Sequence, residues 1–350
     1  MKDLHGYIPK KILVRMPNWI GDLVMATPVL EDLRKTYPSA QITAMCRTPL
    51  SELLKYNPYV DEIYAFERGR GIFSRRDSQR NVVRKLHTGA FDLGVLLTNS
   101  LSSAWCLWQG NVQFRIGYRG DGRTSLLTHP VSFCEQEEHQ VVIYKRLLEP
   151  LGIAISDTKP SLQLLGEEIR SAYEILGRYG IEEDQMVIGV NPGAAYGSAK
   201  CWLPERFQEV IHSLLEGYPH VVVVLFGDQA TAEVVGVIAK KFPTRVINLA
   251  GQTNLRELMA LCKICHVFLT NDSGPMHIAD ALGTPLLALF GSTNPITTGP
   301  YLQKNILRKE VECSPCYKRV CPIDFRCMKG IEVKQVYDRL VELLGVDAHV

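Results

Sequence analysis

The sequence predicts an α/β protein made of two doubly wound domains. Short apolar segments of strand length alternate with amphipathic helical segments through both halves of the 350-residue chain. The first half opens with strands at 11–15, 41–46 and 60–66, separated by helical segments, which is the β-α-β-α-β order of such a sheet. A turn-rich link near 152–165 precedes a second series that begins with the strand 187–190. We therefore expect domains at 1–165 and 166–350.

The clearest unit of the second half is a strand, a polar turn and a helix at 267–283. Asp272 or Ser273 is a suitable N-cap, Gly274 allows close approach to the backbone, and Pro275 suits the first helical turn. Free N–H groups and the positive end of the helix dipole make such a turn favourable for phosphate, and His277 is close enough to assist. The alternative is an ordinary capped helix with a packed histidine.

Composition excludes several classes of protein. A net charge of +2 and 22% charged residues give no global signal for nucleic acid binding. The longest apolar runs are too short to span a bilayer, and the first residues carry no apolar stretch of signal-peptide length, so we expect a cytoplasmic protein. In that compartment the ten cysteines are expected to be free thiols.

The first strand–helix turn contains neither G-x-G-x-x-G nor a Walker A sequence. The dinucleotide-binding fingerprint and the P-loop are therefore both missing, which argues against a dinucleotide oxidoreductase. Gly21-Asp22 occupy the point where the strand meets its helix, at the sheet edge that binds ligands in open α/β folds. Asp22 is either a functional carboxylate at a crevice or a helix cap.

Two loops of the second half have residues suited to a nucleotide. The loop 191–204 is rich in glycine and alanine, and its Lys200 supplies a mobile charge for phosphate. The apolar strand 221–226 ends in Gly227-Asp228-Gln229, where an acidic residue can bind ribose hydroxyl groups.

Basic residues cluster in the first half. The segment Arg68–Lys85 carries seven arginines and lysines against one acid, Asp77, with Glu67 just before it, which indicates either a solvated helix face or a surface that docks on anionic lipid. Arg115 and Arg119 follow in a segment interpreted as a loop at the crevice, where they suit phosphate or carboxylate groups. Plain surface arginines are the alternative for part of this group.

Four cysteines lie within fifteen residues near the end of the chain, at Cys313, Cys316, Cys321 and Cys327. Zinc would need all four as thiolates around one ion, and the spacing differs from that of a standard zinc ribbon. Free or partly disulfide-bonded thiols are the favoured interpretation, with a bound metal as the alternative.

Taken together, three stretches resemble glycosyltransferase family 9, the ADP-heptose:lipopolysaccharide heptosyltransferases. They are KILVRMPNWIGDLVMATPVLEDLRKTYPSAQI near the start, NPGAAYGSAKCWLPERF in the middle and LTNDSGPMHIADALGTPLLALFGSTNP near the end. Within the family, CSPCYKRVCPIDFRCMKGI and the NWIGD turn are more similar to heptosyltransferase II than to heptosyltransferase I.

The resemblance implies a GT-B fold, with two Rossmann-like domains facing across a cleft and a last helix at 331–344 that packs back on the first domain. It implies that ADP-heptose binds the second domain and that the first domain holds a lipid-linked acceptor, heptosyl-Kdo2-lipid A, at the inner face of the inner membrane. The implied donor residues are Tyr196, Lys200, Asp228, Gln229, Asp272, Ser273, Gly274 and His277. The implied acceptor residues are Arg47, Arg115 and Arg119. Tyr196 departs from the family, in which this position is often a small hydroxyl residue.

An inverting transfer needs a carboxylate that accepts the proton of the attacking hydroxyl group. Asp22 is our first choice for this base and Asp272 the second. The chain has no Asp-x-Asp pair, so we expect Lys200 and the helix N-terminus to stabilise the leaving diphosphate without a metal or other cofactor. A family member with another acceptor and a non-catalytic nucleotide-binding module are the remaining alternatives.

Overall fold

The computed structural model describes residues 3–67, 69 and 71–345. Arg68 and Arg70 of the basic segment lie outside these residues. The chain forms two compact units, Met1–Gln163 and Leu164–Val350. No helix among the described residues combines the length and the apolar character needed to cross a membrane.

Unit 1 is a parallel six-stranded sheet flanked by helices. Its strands are β1 (Lys11–Arg15), β2 (Gln41–Arg47), β3 (Glu62–Phe66), β4 (Leu93–Leu96), β5 (Phe114–Tyr118) and β6 (His129–Val131). Its helices are α1 (Ile20–Met25), α2 (Thr27–Thr36), α3 (Ile72–Gly89), α4 (Leu101–Gln109) and α5 (Gln140–Arg146). The strand order β3-β2-β1-β4-β5-β6 is that of a doubly wound sheet, as predicted.

Two local expectations in unit 1 are wrong. The helical pattern at 23–37 is divided between α1 and α2, because Pro28 has no N–H to continue a helix and instead occupies the first turn of α2. The segment around Arg115, predicted as a loop, is β5. All of its residues except Arg115 are buried, and it pairs in parallel with β4 as part of the sheet.

Helices α3 and α4 cover one side of the unit 1 sheet. Val82 and Leu86 of α3 share a buried cluster with Ala104 and Leu107 of α4. Strand residues such as Leu13 complete this cluster from below. The two helices therefore bury their inner faces against the same layer of the sheet.

Unit 2 repeats the architecture with another parallel six-stranded sheet. Its strands are β7 (Met186–Asn191), β8 (Val221–Leu225), β9 (Val246–Asn248), β10 (Val267–Asn271), β11 (Leu286–Phe290) and β12 (Ile306–Arg308). Its helices are α6 (Gly166–Gly177), α7 (Pro204–Gly217), α8 (Ala232–Ala239), α9 (Leu255–Ile264), α10 (Gly274–Leu282), α11 (Pro295–Thr298), α12 (Arg326–Lys329) and α13 (Val333–Leu344). In the strand order β12-β11-β10-β7-β8-β9, the direction in which successive strands are added again reverses between β7 and β10.

The last helix contributes to the core of unit 2. Val336 and Leu340 of α13 are fully buried in the main apolar cluster of this unit, and α13 packs on α7. Trp202, only 1% exposed, belongs to the same cluster and donates its indole N–H to the Ile331 carbonyl at 3.2 Å. The C-terminal segment thereby supports the loop that follows β7.

Candidate active site

The predicted phosphate-binding turn lies at the point where the unit 2 sheet changes direction. Strands β7 and β10 are neighbours there, with Thr270 in register with Asn191. Asn191 ends β7 and Asn271 ends β10. Doubly wound domains bind ligands outside the carboxyl ends of their strands at this position. The loops that follow β7 and β10 therefore form the candidate site of unit 2.

Buried amide groups fix these loops. The Asn271 side chain is fully buried, accepts a hydrogen bond from the Trp202 N–H at 3.0 Å and donates one to the Pro192 carbonyl at 2.7 Å. One side chain at the end of β10 thus holds both ends of the loop 192–202. This role was not predicted from the sequence, although an asparagine at the end of each of two neighbouring strands is a usable signal.

The first turn of α10 keeps its backbone donors available. Ser273 is the N-cap residue, but its side chain makes no capping hydrogen bond. Its Oγ instead accepts a hydrogen bond from Asn191 Nδ2 at 3.0 Å. Since Pro275 has no N–H, the groups that an anion could contact here are the N–H groups of Gly274 and Met276. This geometry suits the anion predicted at Ser273 and Gly274.

Lys200 and Asp272, predicted separately as donor-site residues, form an ion pair. Lys200 Nζ lies 2.5 Å from Asp272 Oδ2, and Thr293 Oγ1 donates to the same oxygen at 2.6 Å. Asp272 is 4% exposed. The carboxylate offsets part of the lysine charge and is itself occupied by two donors. Asp272 is therefore poorly arranged to accept a proton from a substrate hydroxyl group.

The Tyr196 ring lies beside two cations. Lys200 Nζ is 4.8 Å and Arg319 Cζ 5.3 Å from the ring centroid, within the range of cation–π contacts. The Tyr196 hydroxyl donates to the Tyr317 carbonyl at 2.8 Å, and the Ala199 N–H donates to the Arg319 carbonyl at 3.0 Å. The segment with the clustered cysteines thus brings an exposed guanidinium, which the sequence analysis did not select, to the loop after β7.

The pair predicted to bind ribose lies on the loop after β8. Asp228 Oδ1 accepts hydrogen bonds from the N–H and the hydroxyl of Thr231, both at 2.9 Å. Gly251 leaves room for the Gln229 side chain, because a Cβ at this position would lie only 2.8 Å from Gln229 Oε1. The φ of +71° at Gly251 also favours glycine. Both residues are exposed on the loop after the strand next to β7. Their contact with ribose stays a prediction.

His277 lies inside the first turns of α10 and is 6% exposed. Three predicted donor residues lie just before it or are paired there: Ser273 and Gly274 begin the helix, and Asp272 forms the ion pair with Lys200. Burial of this degree is compatible with the packed histidine considered from the sequence. A hydrogen bond from His277 to phosphate therefore stays a prediction.

In unit 1, Asp22 lies in the first turn of α1 and is half-buried. The hydroxyl of buried Tyr144, on α5, donates to Asp22 Oδ1 at 3.0 Å. Burial, and then the negative charge of Asp22, raise the pKa of Tyr144 well above its ordinary value. Tyr144 therefore remains a neutral donor that orients the Asp22 carboxylate. The N-cap residue of α1 is Trp19, so Asp22 occupies the third helical position.

A pocket of about 310 Å³ opens beside the ends of β1, β2 and β3. Its polar lining includes two arginines and four serines, namely Arg15, Arg47, Ser78, Ser100, Ser102 and Ser103. The pocket lies where the unit 1 sheet changes direction, between β1 and β4. Of the three arginines predicted to meet an acceptor, Arg47 is at this pocket.

Arg15 is the most firmly held cation of the pocket. It is 5% exposed, donates to Asn18 Oδ1 at 2.8 Å and to the Met16 carbonyl, and its Cζ lies 4.8 Å from the Phe66 ring centroid. Burial lowers its pKa to about 10, so it is still a cation at neutral pH. Arg15 was not predicted as a site residue, because in the sequence it is the last residue of a short apolar strand.

The other predicted arginines lie elsewhere. Arg115 donates to the carbonyls of Leu126 and Val112 at 2.7 and 2.6 Å, near the beginning of β5, and does not line the pocket. Arg119 follows the end of β5 and is exposed. Fully buried Arg123 donates to the Tyr118 carbonyl at 2.8 Å. Arg115 and Arg123 thus stabilise the main chain around β5.

All ten cysteines are free thiols in this structure. The cluster runs from exposed Cys313 to buried Cys327. Burial and the neighbouring thiols raise the pKa of Cys327. Within the described part of the chain, no three His, Cys, Asp or Glu side chains are grouped so that they could hold a metal ion.

Comparisons with known proteins agree with this geometry. The sequence profile of glycosyltransferase family 9 (heptosyltransferase) matches residues 79–325. Lipopolysaccharide heptosyltransferase 2 of Escherichia coli K12 is 31% identical over 306 residues, 84% of this chain and 86% of that protein. Lipopolysaccharide heptosyltransferase 3 of the same strain is 27% identical over 293 residues, 82% of this chain and 84% of that protein.

Solved structures give the same result. A glycosyltransferase of family 9 from Veillonella parvula has a TM-score of 0.85 and 26% identity, and each chain covers 98% of the other. ADP-heptose lipopolysaccharide heptosyltransferase II of E. coli has a TM-score of 0.80 and 27% identity, covering 95% of this chain and 98% of that one. The fold class predicted from the sequence, GT-B with two doubly wound domains, is confirmed. The chain belongs to glycosyltransferase family 9, the heptosyltransferases, and is a glycosyltransferase.

Proposed function

We propose that this enzyme transfers heptose, with inversion, from ADP-L-glycero-D-manno-heptose to the inner-core heptose of heptosyl-Kdo2-lipid A. Unit 2 binds the donor and unit 1 binds the acceptor. The proposal rests above all on the Lys200–Asp272 pair beside the uncapped first turn of α10. A nucleoside diphosphate needs a held cation and backbone donors of this kind. The acceptor is presented at a membrane surface, on its cytoplasmic side.

Donor binding uses the edge of unit 2 at which β7 and β10 end. The diphosphate contacts Lys200 and the N–H groups at the start of α10, with Ser273 and His277 beside them. Asp228 and Gln229, one strand away, take the ribose hydroxyl groups. As the bond from the anomeric carbon to ADP breaks, negative charge grows on the diphosphate. Cationic and backbone donors that are already in place stabilise this charge without reorganisation.

Asp22 is the proposed general base. In the reaction, an acceptor hydroxyl loses its proton to the carboxylate, the hydroxyl oxygen bonds to the anomeric carbon, and ADP departs from the opposite face. The half-buried Asp22 has one oxygen oriented by Tyr144 at 3.0 Å. A carboxylate with a fixed orientation is better suited to this proton transfer than Asp272, whose Oδ2 already contacts Lys200 and Thr293.

Acceptor binding is assigned to the pocket of unit 1. Arg15 and Arg47 provide positive charge and the serines provide hydroxyl groups, a combination that fits a sugar carrying phosphate or carboxylate. Arg119 is an additional exposed cation at the carboxyl end of β5. Because Arg115 donates to main-chain carbonyls, we assign it to stabilising β5.

The second candidate function is the same transfer to another acceptor of the lipopolysaccharide core. It is favoured by the similarity to a heptosyltransferase 3 over most of the chain. The donor would be unchanged and only the sugar bound in unit 1 would differ.

The deciding experiment measures transfer from ADP-heptose to heptosyl-Kdo2-lipid A by wild type and by Asp22→Asn. We expect product from wild type and a loss of kcat of about 10²- to 10⁴-fold in the variant, since a general base contributes about that much. NMR of the product should show inversion at the anomeric carbon, and excess EDTA should leave the rate unchanged.

Controls separate the parts of this proposal. The Asp22→Asn protein should bind ADP as wild type does, because Asp22 and the donor residues belong to different units. Product only with an acceptor that already carries a second heptose would favour the alternative acceptor. Full activity in Asp22→Asn would contradict its role as base, and ADP binding without transfer to any core acceptor would indicate a non-catalytic module.

A further inference from the structure

Helix α4 presents a line of apolar side chains to solvent. Leu101, Trp105 and Trp108 are 48%, 37% and 46% exposed. Their spacing of four and three residues places them on one face of the helix. The helix sequence LSSAWCLWQ contains no charged residue. Exposed tryptophans in a row are unusual on a freely solvated helix and are typical of a surface that contacts another phase or partner.

Helix α3 presents a line of positive charge. Arg76, Arg80 and Arg84 follow one another at four-residue intervals, and all three are exposed. The single acidic residue in the sequence of α3 is Asp77, whose pair with Arg80 is 3.6 Å long and open to solvent on both sides. Such an exposed pair is weak. Lys85 is excluded from this line, since it pairs with Glu62 at 3.0 Å.

Both lines lie on the same side of unit 1. The inner faces of α3 and α4 meet in one buried cluster over one layer of the sheet, through Val82 and Leu86 on α3 and Leu107 on α4. A Cβ added to Gly110, just after α4, would lie 2.5 Å from the Leu86 Cβ, which shows how closely the helices pack. The outward faces of the two helices therefore form one continuous surface, apolar along α4 and basic along α3.

We propose that this surface docks unit 1 on an anionic lipid bilayer. Tryptophan and leucine side chains enter the interfacial layer, and the three arginines contact the lipid phosphates. Charge complementarity favours an anionic membrane as the occupant, because a purely apolar partner would leave the arginines without counter-charges. The proposal does not depend on which sugar accepts the heptose.

The position of the surface gives docking a functional consequence. The pocket assigned to the acceptor lies at the same two helices, where Ser78 and Gln79 of α3 face Ser102 and Ser103 of α4. None of the six docking side chains lines that pocket. A sugar that projects from a lipid anchored in the bilayer would therefore reach the pocket from the surface on which the enzyme sits.

The test is binding of the whole protein to lipid vesicles by co-sedimentation. One set of vesicles contains phosphatidylcholine alone. The other also contains phosphatidylglycerol at about 30 mol%, so that about a third of its headgroups are anionic. Wild type should bind the anionic vesicles and release from them at high salt. The triple variant Arg76→Gln/Arg80→Gln/Arg84→Gln should bind about thirtyfold to a hundredfold more weakly, at roughly three- to fivefold for each charge.

The apolar line is tested by Trp105→Ser/Trp108→Ser. This variant should lose most binding, and it should also lose the quenching of tryptophan fluorescence by brominated lipids that we expect for wild type. Matched controls lie on unit 2, where Val234→Ser/Val237→Ser removes exposed apolar groups and Arg170→Gln/Arg178→Gln/Lys241→Gln removes equal charge. Both controls should bind as wild type does.

Three results would overturn the proposal. The first is that wild type does not bind anionic vesicles, and the second is that it binds them but neither docking variant binds more weakly. The third is that the protein dimerises in lipid-free solution and Trp105→Ser/Trp108→Ser abolishes the dimer, which would assign the surface to a second copy. Activity distinguishes docking from catalysis. Both docking variants should retain transfer to a delipidated acceptor oligosaccharide and lose it selectively on acceptor embedded in vesicles.

Discussion

The two units share a sheet topology but prepare their ligand-binding edges in different ways. Both sheets have the order of a doubly wound fold and both change direction at their centre. In unit 2, buried amides from Asn191 and Asn271 fix the loops around the candidate site. In unit 1, the corresponding edge carries a pocket of about 310 Å³ between two helices. The same scaffold therefore supports one tightly organised site and one open site.

The difference matches the two ligands proposed for them. A nucleoside diphosphate is a constant chemical object, so a rigid set of donors lowers the cost of binding it and of stabilising its charge. A lipid-linked oligosaccharide is large, and only part of it can enter a pocket of this size. Held cations such as Arg15 can then recognise its anionic groups while the remainder stays outside. The comparison predicts that unit 2 variants act on donor binding and the rate, and that unit 1 pocket variants act on acceptor affinity.

The largest effect in this comparison is expected for Lys200→Met. Loss of the ammonium removes the cation proposed to stabilise the leaving diphosphate, so kcat/KM should fall about 10²- to 10³-fold. The change also leaves the nearly buried Asp272 carboxylate without its ion pair, and the free energy of unfolding should fall by about 3 kcal/mol. Steady-state kinetics and calorimetry measure the two losses.

The double variant Lys200→Met/Asp272→Asn separates these two roles. Removing the carboxylate as well should restore most of the lost stability, since no unpaired buried charge remains. Activity should stay low, because the cation is still missing. Recovery of activity together with stability would mean that Lys200 serves only the fold.

A smaller effect is expected for Arg47→Gln in the open pocket. The acceptor KM should rise about tenfold, as for the loss of one charge-assisted hydrogen bond, while the affinity for ADP stays unchanged. Arg115→Gln is the matched control, because its guanidinium donates to the carbonyls of Leu126 and Val112. It should lower the melting temperature without changing the acceptor KM. The opposite pattern would move the acceptor site towards Arg115.

The sequence predicted those features that local patterns encode. The turn before α10 and the position of Asp22 follow from the order of strand, turn and helix, which a continuous stretch of sequence contains. The helix break before Pro28 was missed, although proline is a local signal for it. These features needed no knowledge of distant parts of the chain.

The remaining features depend on contacts between distant residues. Tyr144 meets Asp22 across 122 positions, and Asn271 meets Trp202 across 69. Arg115 was misplaced for the same reason, since only its partners reveal that it stabilises β5. A single sequence can mark such a residue by its place at a strand end, as for Asn271, but it does not identify the partner, because any buried donor can satisfy the same acceptor.

Arg319→Gln is expected to have the smallest effect and sharpens the comparison most. Because Asp272 offsets part of the charge of Lys200, a second cation would strengthen the attraction of the proposed donor site for diphosphate, and Arg319 is beside the same Tyr196 ring. We expect the Kd for ADP to rise about fivefold, the equivalent of about 1 kcal/mol for an exposed charge. Isothermal titration calorimetry measures this Kd, and the effect should shrink at high salt.

Lys318→Gln is the control, since Lys318 is an exposed cation next to Arg319 in sequence. An equal loss in both variants would assign the effect to the general positive field of this segment, whereas a loss confined to Arg319→Gln would make the cysteine-rich segment part of the donor site.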